Sequence, residues 1–312
     1  MDKKIKTIFI GTPDFSVPTL ATLVKDEYFE IITAITQPDK KAGRKQELCA
    51  PPVKQYAQEQ DIPVLQPEKI KDISNQIRQL SPDLIIVIAY AQIIPKGILE
   101  IPQYGAINVH ASLLPKYRGA SCIQAAILHG DEQTGITIMK MDEGLDTGPI
   151  LTQKIINIDN SDTAESLFVE LAELGAKMLT PTIKDYINGA IMPLPQDNNK
   201  SSYAGILKKK DGRIDWSKPA SEIERFVRAM HSWPGAFSQF NGGTIKIIKT
   251  GKADFLNKDL LPGTLFTNNG NLMVKCGQDS LAIENLQLPG KKIMNGQEFL
   301  NGYSKFLLHT LN

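Results

Sequence analysis

Two side chains suited to handling a carbonyl group stand two residues apart at the end of an apolar run. In "INVHASLLPKYRGA" (107–120), Asn108 and His110 close a β-type stretch, and a loop bearing Pro115, Arg118 and Gly119 follows at once. Alternate residues of a strand share a face, so both side chains point the same way, about 6.6 Å apart at ~3.3 Å rise per residue. Asn offers amide donors, and His offers a donor or a proton near neutral pH. Together they suit one developing oxyanion. A hydrogen-bonded structural pair would have the same spelling.

Further candidates lie nearby. In "MDEGLDTGPIL" (141–151), Gly144 and Gly148 permit sharp turns that present an acid, Asp142 or Asp146, to a neighbouring strand end. A solvated turn reads the same way. "SLLPKYRG" (112–119) has Pro115 and Gly119 to fix its shape. The backbone of such a loop can hydrogen-bond a heterocycle, while Leu113 and Leu114 offer apolar contact. "GTPDFS" (11–16) follows the first strand but contains neither a G-x-G-x-x-G nor a P-loop. Gly11 there makes a turn, and Phe15 is placed to line a pocket at the sheet edge.

These residues need a frame. The pattern predicts strands over 5–12, 30–38, 82–90, 105–110, 135–142 and 149–158, and helices over 17–27, 52–61, 68–81, 120–130 and 163–190. Residues 68–81 carry Ile70, Ile73, Ile77 and Leu80 at helical period, while "LIIVIA" (84–89) is the continuous apolar run of a strand buried on both faces. Alternation of strand and helix over 1–190 predicts an α/β doubly wound domain with a mostly parallel sheet. Ligands bind such sheets beyond the carboxyl ends of strands, and His110 sits at one. Residues 191–206, polar and with two prolines, read as a linker. Over 207–312 one helix (221–232) precedes short β runs separated by Gly and Asn turns, and "NGQEFLNGYSKF" closes the chain as a helix. That spelling predicts a small β-barrel.

Composition narrows the class. At 312 residues, 42% hydrophobic and 22% charged, the chain is long enough for two packed domains and is neither disordered nor fibrous. Cys49, Cys122 and Cys276 lack any CxxC pairing, and His110, His129, His231 and His309 lack ligand spacing. No disulfide framework and no metal are therefore expected, and a reducing compartment is. The apolar part of the N-terminus is about five residues, too short for a signal peptide, and no run can span a bilayer. A cytoplasmic protein, a monomer without membrane contact, is expected.

Taken together, the Asn-x-His-x-Ser-Leu-Leu-Pro string, the downstream Asp-Thr-Gly-Pro and the "GTPDFS" first turn resemble the 10-formyltetrahydrofolate-dependent formyltransferases. The likeness runs the length of the chain, and "HSWPGAF" (231–237) is similar to that family's C-terminal domain. It implies a Rossmann-like formyltransferase domain at 1–190, a linker at 191–206 and a barrel akin to an OB fold at 207–312. It implies Asn108, His110 and Asp146 as the catalytic trio, with 10-formyltetrahydrofolate as formyl donor and no metal. Implied folate contacts are Ser112, Leu113, Leu114, Pro115 and Gly119 on one loop. Phe15, Ile88, Ala89, Tyr90, Ala91 and Gln92 complete them. An amine attacks the formyl carbon, and Asn108 and protonated His110 stabilise the charge gained by the oxygen, an effect of ~3–4 kcal/mol per donor. Asp146 orients His110 and favours its imidazolium.

The trio cannot choose the amine. Members of the resembling family use glycinamide ribonucleotide, a sugar nucleotide, aminoacyl-tRNA or water. Two features favour tRNA. Residues 37–54 carry Lys40, Lys41, Arg44, Lys45 and Lys54 against Asp39 and Glu47, a net +3 in a connection of unusual length. In the resembling family this loop enters the acceptor stem of methionine-charged initiator tRNA, and Arg44 matches its key arginine. Residues 207–312 carry 15 Lys and Arg against 9 Asp and Glu, a net +6 set on a −5 first part. Lys208, Lys209 and Lys210 sit at the linker's end. A basic barrel on an acidic catalytic domain suits a phosphate backbone, although dispersed surface lysines would give the same balance. Transfer to a UDP-amino sugar and hydrolysis of the folate donor are the alternatives.

Overall fold

The computed structural model describes residues 4–43, 46–253 and 259–311. In chain order the first elements are β1 (Ile5–Gly11), α1 (Val17–Lys25), β2 (Phe29–Ile35), β3 (Lys40–Ala42), β4 (Glu47–Cys49), α2 (Pro52–Glu59), β5 (Val64–Leu65) and α3 (Ser74–Leu80). There follow β6 (Leu84–Ile88), α4 (Lys96–Leu99), β7 (Ala106–His110), α5 (Cys122–His129), β8 (Gln133–Lys140), β9 (Ile150–Asn157) and α6 (Ala164–Ile187). After these come α7 (Ala220–Ala229), β10 (Phe237–Phe240), β11 (Gly243–Ala253), β12 (Leu265–Asn268), β13 (Asn271–Lys275), β14 (Ser280–Gln287), β15 (Ile293–Asn295) and α8 (Gly296–Tyr303). The chain divides into two compact units. One comprises Met1–Cys122, Gln133–Asn157 and Phe168–Gly205, and the other Ile123–Glu132, Ile158–Leu167 and Ile206–Asn312.

In the first unit, every residue of β6 is buried, as its apolar spelling requires of a strand covered on both faces, and so is every residue of β7, Asn108 and His110 included. The seven-stranded sheet has the order β5-β2-β1-β6-β7-β8-β9. Strands β5 to β7 pair in parallel, and β8 and β9 join antiparallel. Ile8, Ile10, Ile77, Ile85 and Ile98 meet in its core. Prolines open the helices that return over the sheet: Pro52 is the first residue of α2, and Pro95 precedes α4. The expected helix over 68–81 is realised as a 3-10 turn, Ile70–Ile73, running into α3. The β3–β4 hairpin and α4 carry no periodic signal, because each is only three or four residues long.

The second unit holds a six-stranded antiparallel half-barrel of order β10-β11-β14-β13-β12, with β15 on β14. Helix α7 lays Ile223 and Val227 onto it, one turn apart, in a core with Trp216, Phe240 and Phe299. The buried Trp216 indole Nε1 donates to Ser238 Oγ at 3.0 Å, which satisfies its polar atom. A capping box starts α8: Asn295 accepts from Glu298 N, and Glu298 accepts from Asn295 N.

Candidate active site

Register brings the site together. Val87 of β6 pairs Asn108 of β7, and His110 pairs Thr137 of β8, so residues 88–92 and 111–115 leave one edge of the sheet side by side. That edge is the carboxyl end of the parallel strands, where α/β sheets hold ligands.

Asn108 and His110 are both buried. Asn108 Nδ2 donates to the Val87 carbonyl at 3.0 Å, while its Oδ1 has no partner among the described residues. A buried acceptor without a partner is the kind of group a bound substrate satisfies. His110 Nε2 lies 3.0 Å from the Tyr117 carbonyl and therefore donates to it, and Nδ1 lies 3.7 Å from Asp146 Oδ2. Burial disfavours the charged ring. The Cys122 thiol in hydrogen-bond contact, the Asp146 carboxylate and the Tyr117 carbonyl outweigh burial and push His110 up to about 9. These neighbours favour the protonated ring.

The two acids of the 141–151 segment take different parts. Asp142 Oδ1 accepts from Gly144 N at 3.0 Å and from Thr147 Oγ1 at 2.6 Å, so it shapes the turn. Asp146 faces the strand end, its Oδ2 accepting from Gly119 N at 2.7 Å. Two glycines permit this approach. A Cβ at Gly148 would overlap the Lys140 carbonyl. Gly119, at φ +105°, would place one 2.6 Å from the Ala204 carbonyl oxygen.

The loop of Ser112, Leu113, Leu114 and Pro115 is braced by β8 and β9. Thr137 Oγ1 donates to Ser112 O at 2.6 Å and accepts from Leu114 N at 3.0 Å. Gln153 Nε2 donates to Leu114 O at 2.9 Å and to Thr137 Oγ1 at 2.8 Å. Ser112 Oγ is spent on the Lys116 carbonyl. On the neighbouring stretch, Ile88 and Tyr90 are buried, Ala89 and Ala91 are exposed at positive φ, and Gln92 bonds Ile70 N and Glu68 O. Phe15 is buried edge-on against Phe168, with ring centroids 5.1 Å apart.

Of the expected RNA contacts, Lys40 and Lys41 are exposed on β3, and Lys208, Lys209 and Lys210 are exposed in the second unit. Arg44 and Lys45 lie outside the described residues. Among the described residues, no cluster of His, Cys, Asp or Glu could hold a metal ion, and no helix is long and apolar enough to cross a membrane.

Residues 3–183 match the model of the formyl transferases, and residues 206–304 match that of the formyl transferase C-terminal domain. The chain belongs to the formyl transferase family. A methionyl-tRNA formyltransferase of Geobacter metallireducens is 44% identical over 301 residues, covering 96% of each chain. One of Pelobacter propionicus is 45% identical over 298 residues, covering 95% of this chain and 92% of its own. Among solved structures, the N-formyltransferase of Helicobacter canadensis, bound to folinic acid and dTDP-3-aminofucose, superposes with a TM-score of 0.66. It is 22% identical, covering 89% of this chain and 98% of its own. HypX of Aquifex aeolicus with tetrahydrofolic acid gives 0.61 at 16% identity, over 98% of this chain and 48% of that one.

In this formyl transferase the sequence reading missed Thr137, Gln153, Tyr117, Cys122 and the Arg118–Gln196 pair. A β-branched hydroxyl residue inside the apolar run "GITIMK" was a signal for Thr137. Gln153 and the Arg118–Gln196 pair act through bonds between distant segments, and Tyr117 and Cys122 act through the fold of the loop after His110, none of which a local pattern encodes.

Proposed function

We propose that the chain transfers the formyl group of 10-formyltetrahydrofolate to the amino group of methionine carried on initiator tRNA. The observation that carries this is the near-full-length likeness, at 44–45% identity, to relatives named for methionyl-tRNA formylation. The site's chemistry agrees with it. The folate donor supplies an activated formyl carbonyl, and the acceptor amine is itself the nucleophile.

Asn108 Nδ2 has one proton on the Val87 carbonyl, which fixes the amide, and turns the other to the formyl oxygen. Its partnerless Oδ1 accepts an N–H of a bound reactant. His110, held as imidazolium, stabilises the negative charge that grows on that oxygen. Asp146 sustains the imidazolium and takes the amine proton through water. The stretches Ile88–Gln92 and Ser112–Pro115, with Phe15 and Gly119, form the folate contacts. Lys40, Lys41 and Lys208–Lys210, with Arg44 and Lys45, meet the tRNA backbone in the cytoplasm.

The test mixes the protein with 10-formyltetrahydrofolate and methionine-charged initiator tRNA and measures N-formylmethionine. Formation of formylmethionyl-tRNA is the expected result. Formyl transfer only to a UDP-amino sugar, or release of formate alone, would overturn the acceptor assignment.

A further inference from the structure

Residues 194–204 do more than connect. Leu194 exchanges both backbone hydrogen bonds with Ile150, each 2.8 Å. Farther on, Arg118 N donates to Ser202 O and Ala204 N donates to Arg118 O, again at 2.8 Å. The segment is therefore a strap tied at one end to β9 and at the other to the loop after His110. Gln196 lies between the ties. Its Nε2 donates to the carbonyls of Asp146 at 2.8 Å and Gly148 at 2.7 Å, and its Oε1 accepts from Arg118 Nε at 3.1 Å and Nη2 at 2.8 Å.

That arrangement admits one orientation. A guanidinium only donates, so Oε1 must face Arg118, and both Nε2 protons must face the two carbonyls. Arg118 is itself fixed. It is 2% exposed, and its Nη2 also bonds Asn198 Oδ1 at 2.8 Å. The next residue, Gly119, is the one whose N–H holds the Asp146 carboxylate. Asp146 sits at φ 53°, the left-handed conformation that short polar residues such as Asp adopt in turns. Its carboxylate stands 3.7 Å from His110 Nδ1, longer than a hydrogen bond, so the placement of the turn sets the coupling between the two.

We propose that Gln196, oriented by the buried Arg118, is a positioning residue for Asp146: it grips the Asp146–Gly148 turn by both carbonyls and holds the carboxylate at the His110 ring. The proposal rests on the catalytic reading of Asn108, His110 and Asp146. It adds the strap, a segment read in the sequence as a plain linker, to the machinery that sets the charge on His110. The ionisable groups acting on that ring are Asp146 from the turn and Cys122 from α5. Gln196 reaches it only through Asp146.

The test uses the full chain carrying Gln196→Leu, which keeps volume and removes every polar contact, and Gln196→Glu, which keeps Arg118 satisfied but cannot donate to the carbonyls. Three measurements are made: kcat and KM for tRNA and folate, the pH–rate profile, and the NMR titration of His110. Both variants should lower kcat at least about tenfold with little change in KM for folate. In Gln196→Leu the His110 midpoint and the alkaline limb of the profile should fall together by about one pH unit or more, whereas the added negative charge of Gln196→Glu opposes that fall. A lower melting temperature with an unmoved His110 titration in Gln196→Leu would make Gln196 a structural residue only and overturn the proposal. If the wild-type chain forms no formylmethionyl-tRNA, the functional reading fails instead. The NMR titration, which needs no turnover, still decides for or against the clamp.

Discussion

The Asp146 carboxylate and the His110 imidazole are coupled without a direct bond. Asp146 Oδ2 is held at 2.7 Å by the backbone N–H of Gly119 and stands 3.7 Å from His110 Nδ1. A carboxylate so held acts on the ring through its field. It favours the imidazolium without itself occupying Nδ1–H.

Removing the charge while keeping the shape isolates that role. Asp146→Asn should lower kcat by about 100-fold or more, and His110→Ala by as much, in line with losing an oxyanion stabiliser or its orienter. Folate affinity should change little, since neither side chain belongs to the 88–92 or 112–115 stretches. Steady-state kinetics with donor binding measured separately gives the answer. Near-wild-type kcat in either variant removes that residue from the chemistry.

The raised ionisation of His110 also makes a statement about stability. The ring moves from its ordinary 6.5 to about 9 in the folded chain, so folding favours the protonated ring. The stabilisation is fully present below pH 6.5 and is lost as pH rises through 9. Denaturant titrations of wild type and His110→Ala across pH 6 to 10 should show the gap in unfolding free energy shrinking over that window. A gap that is flat with pH contradicts a raised ring.

Thr137 offers a test of the loop brace. It is fully buried, and its hydroxyl serves Ser112 O, Leu114 N and Gln153 Nε2 together. Thr137→Val keeps the volume and takes that partner from Ser112 O and Leu114 N, while Gln153 Nε2 keeps the Leu114 carbonyl, at about 1–3 kcal/mol. Stability should fall by that order and KM for the folate donor should rise, with kcat less affected. An unchanged KM would show that the 112–115 loop holds its shape without Thr137.

How far the sequence reveals this follows from the range of each signal. The β6 strand is legible because an unbroken apolar run bounded by turn residues admits few other structures, and β1 and β7 because short, mostly apolar stretches end at turn residues. Asn108 and His110 follow from period-two spacing on the last of them. The choice between Asp142 and Asp146 is not legible, since either acid suits a Gly-rich turn. The residues alone leave both open, and only the resemblance picks Asp146; in the structure Gly144 N and Thr147 Oγ1 occupy Asp142, and Gly119 N reaches Asp146 from 27 positions away. The Arg118–Gln196 bond spans 78 positions, and a lone Gln in a polar, proline-bearing stretch has no period to betray it. The β3–β4 hairpin escapes for a different reason: Lys40, Lys41 and Glu47–Cys49 are exposed, so its strands carry no alternation to read.

The lysines at 208–210 test where the RNA is held. All three are exposed, in a part of the chain with a net charge of +6, and the short turn they enter is held by Lys208 N on Asp211 Oδ2 at 2.7 Å. That bond uses the backbone, so replacing all three side chains by alanine should leave the turn, the melting temperature and folate binding as they are. Every lysine that neutralises a phosphate adds about 0.7–0.9 to the slope of log affinity against log salt, through the counterions it releases. If all three lysines touch the backbone, the triple variant should flatten the slope by roughly 2–3 and weaken tRNA binding most at low salt. The competing view is that these charges merely keep the surface solvated, and it expects the slope of the intact chain. Titrations of initiator tRNA between low and physiological salt, with wild type and variant side by side, separate the two. An unchanged slope together with unchanged affinity would leave the RNA contact to other residues.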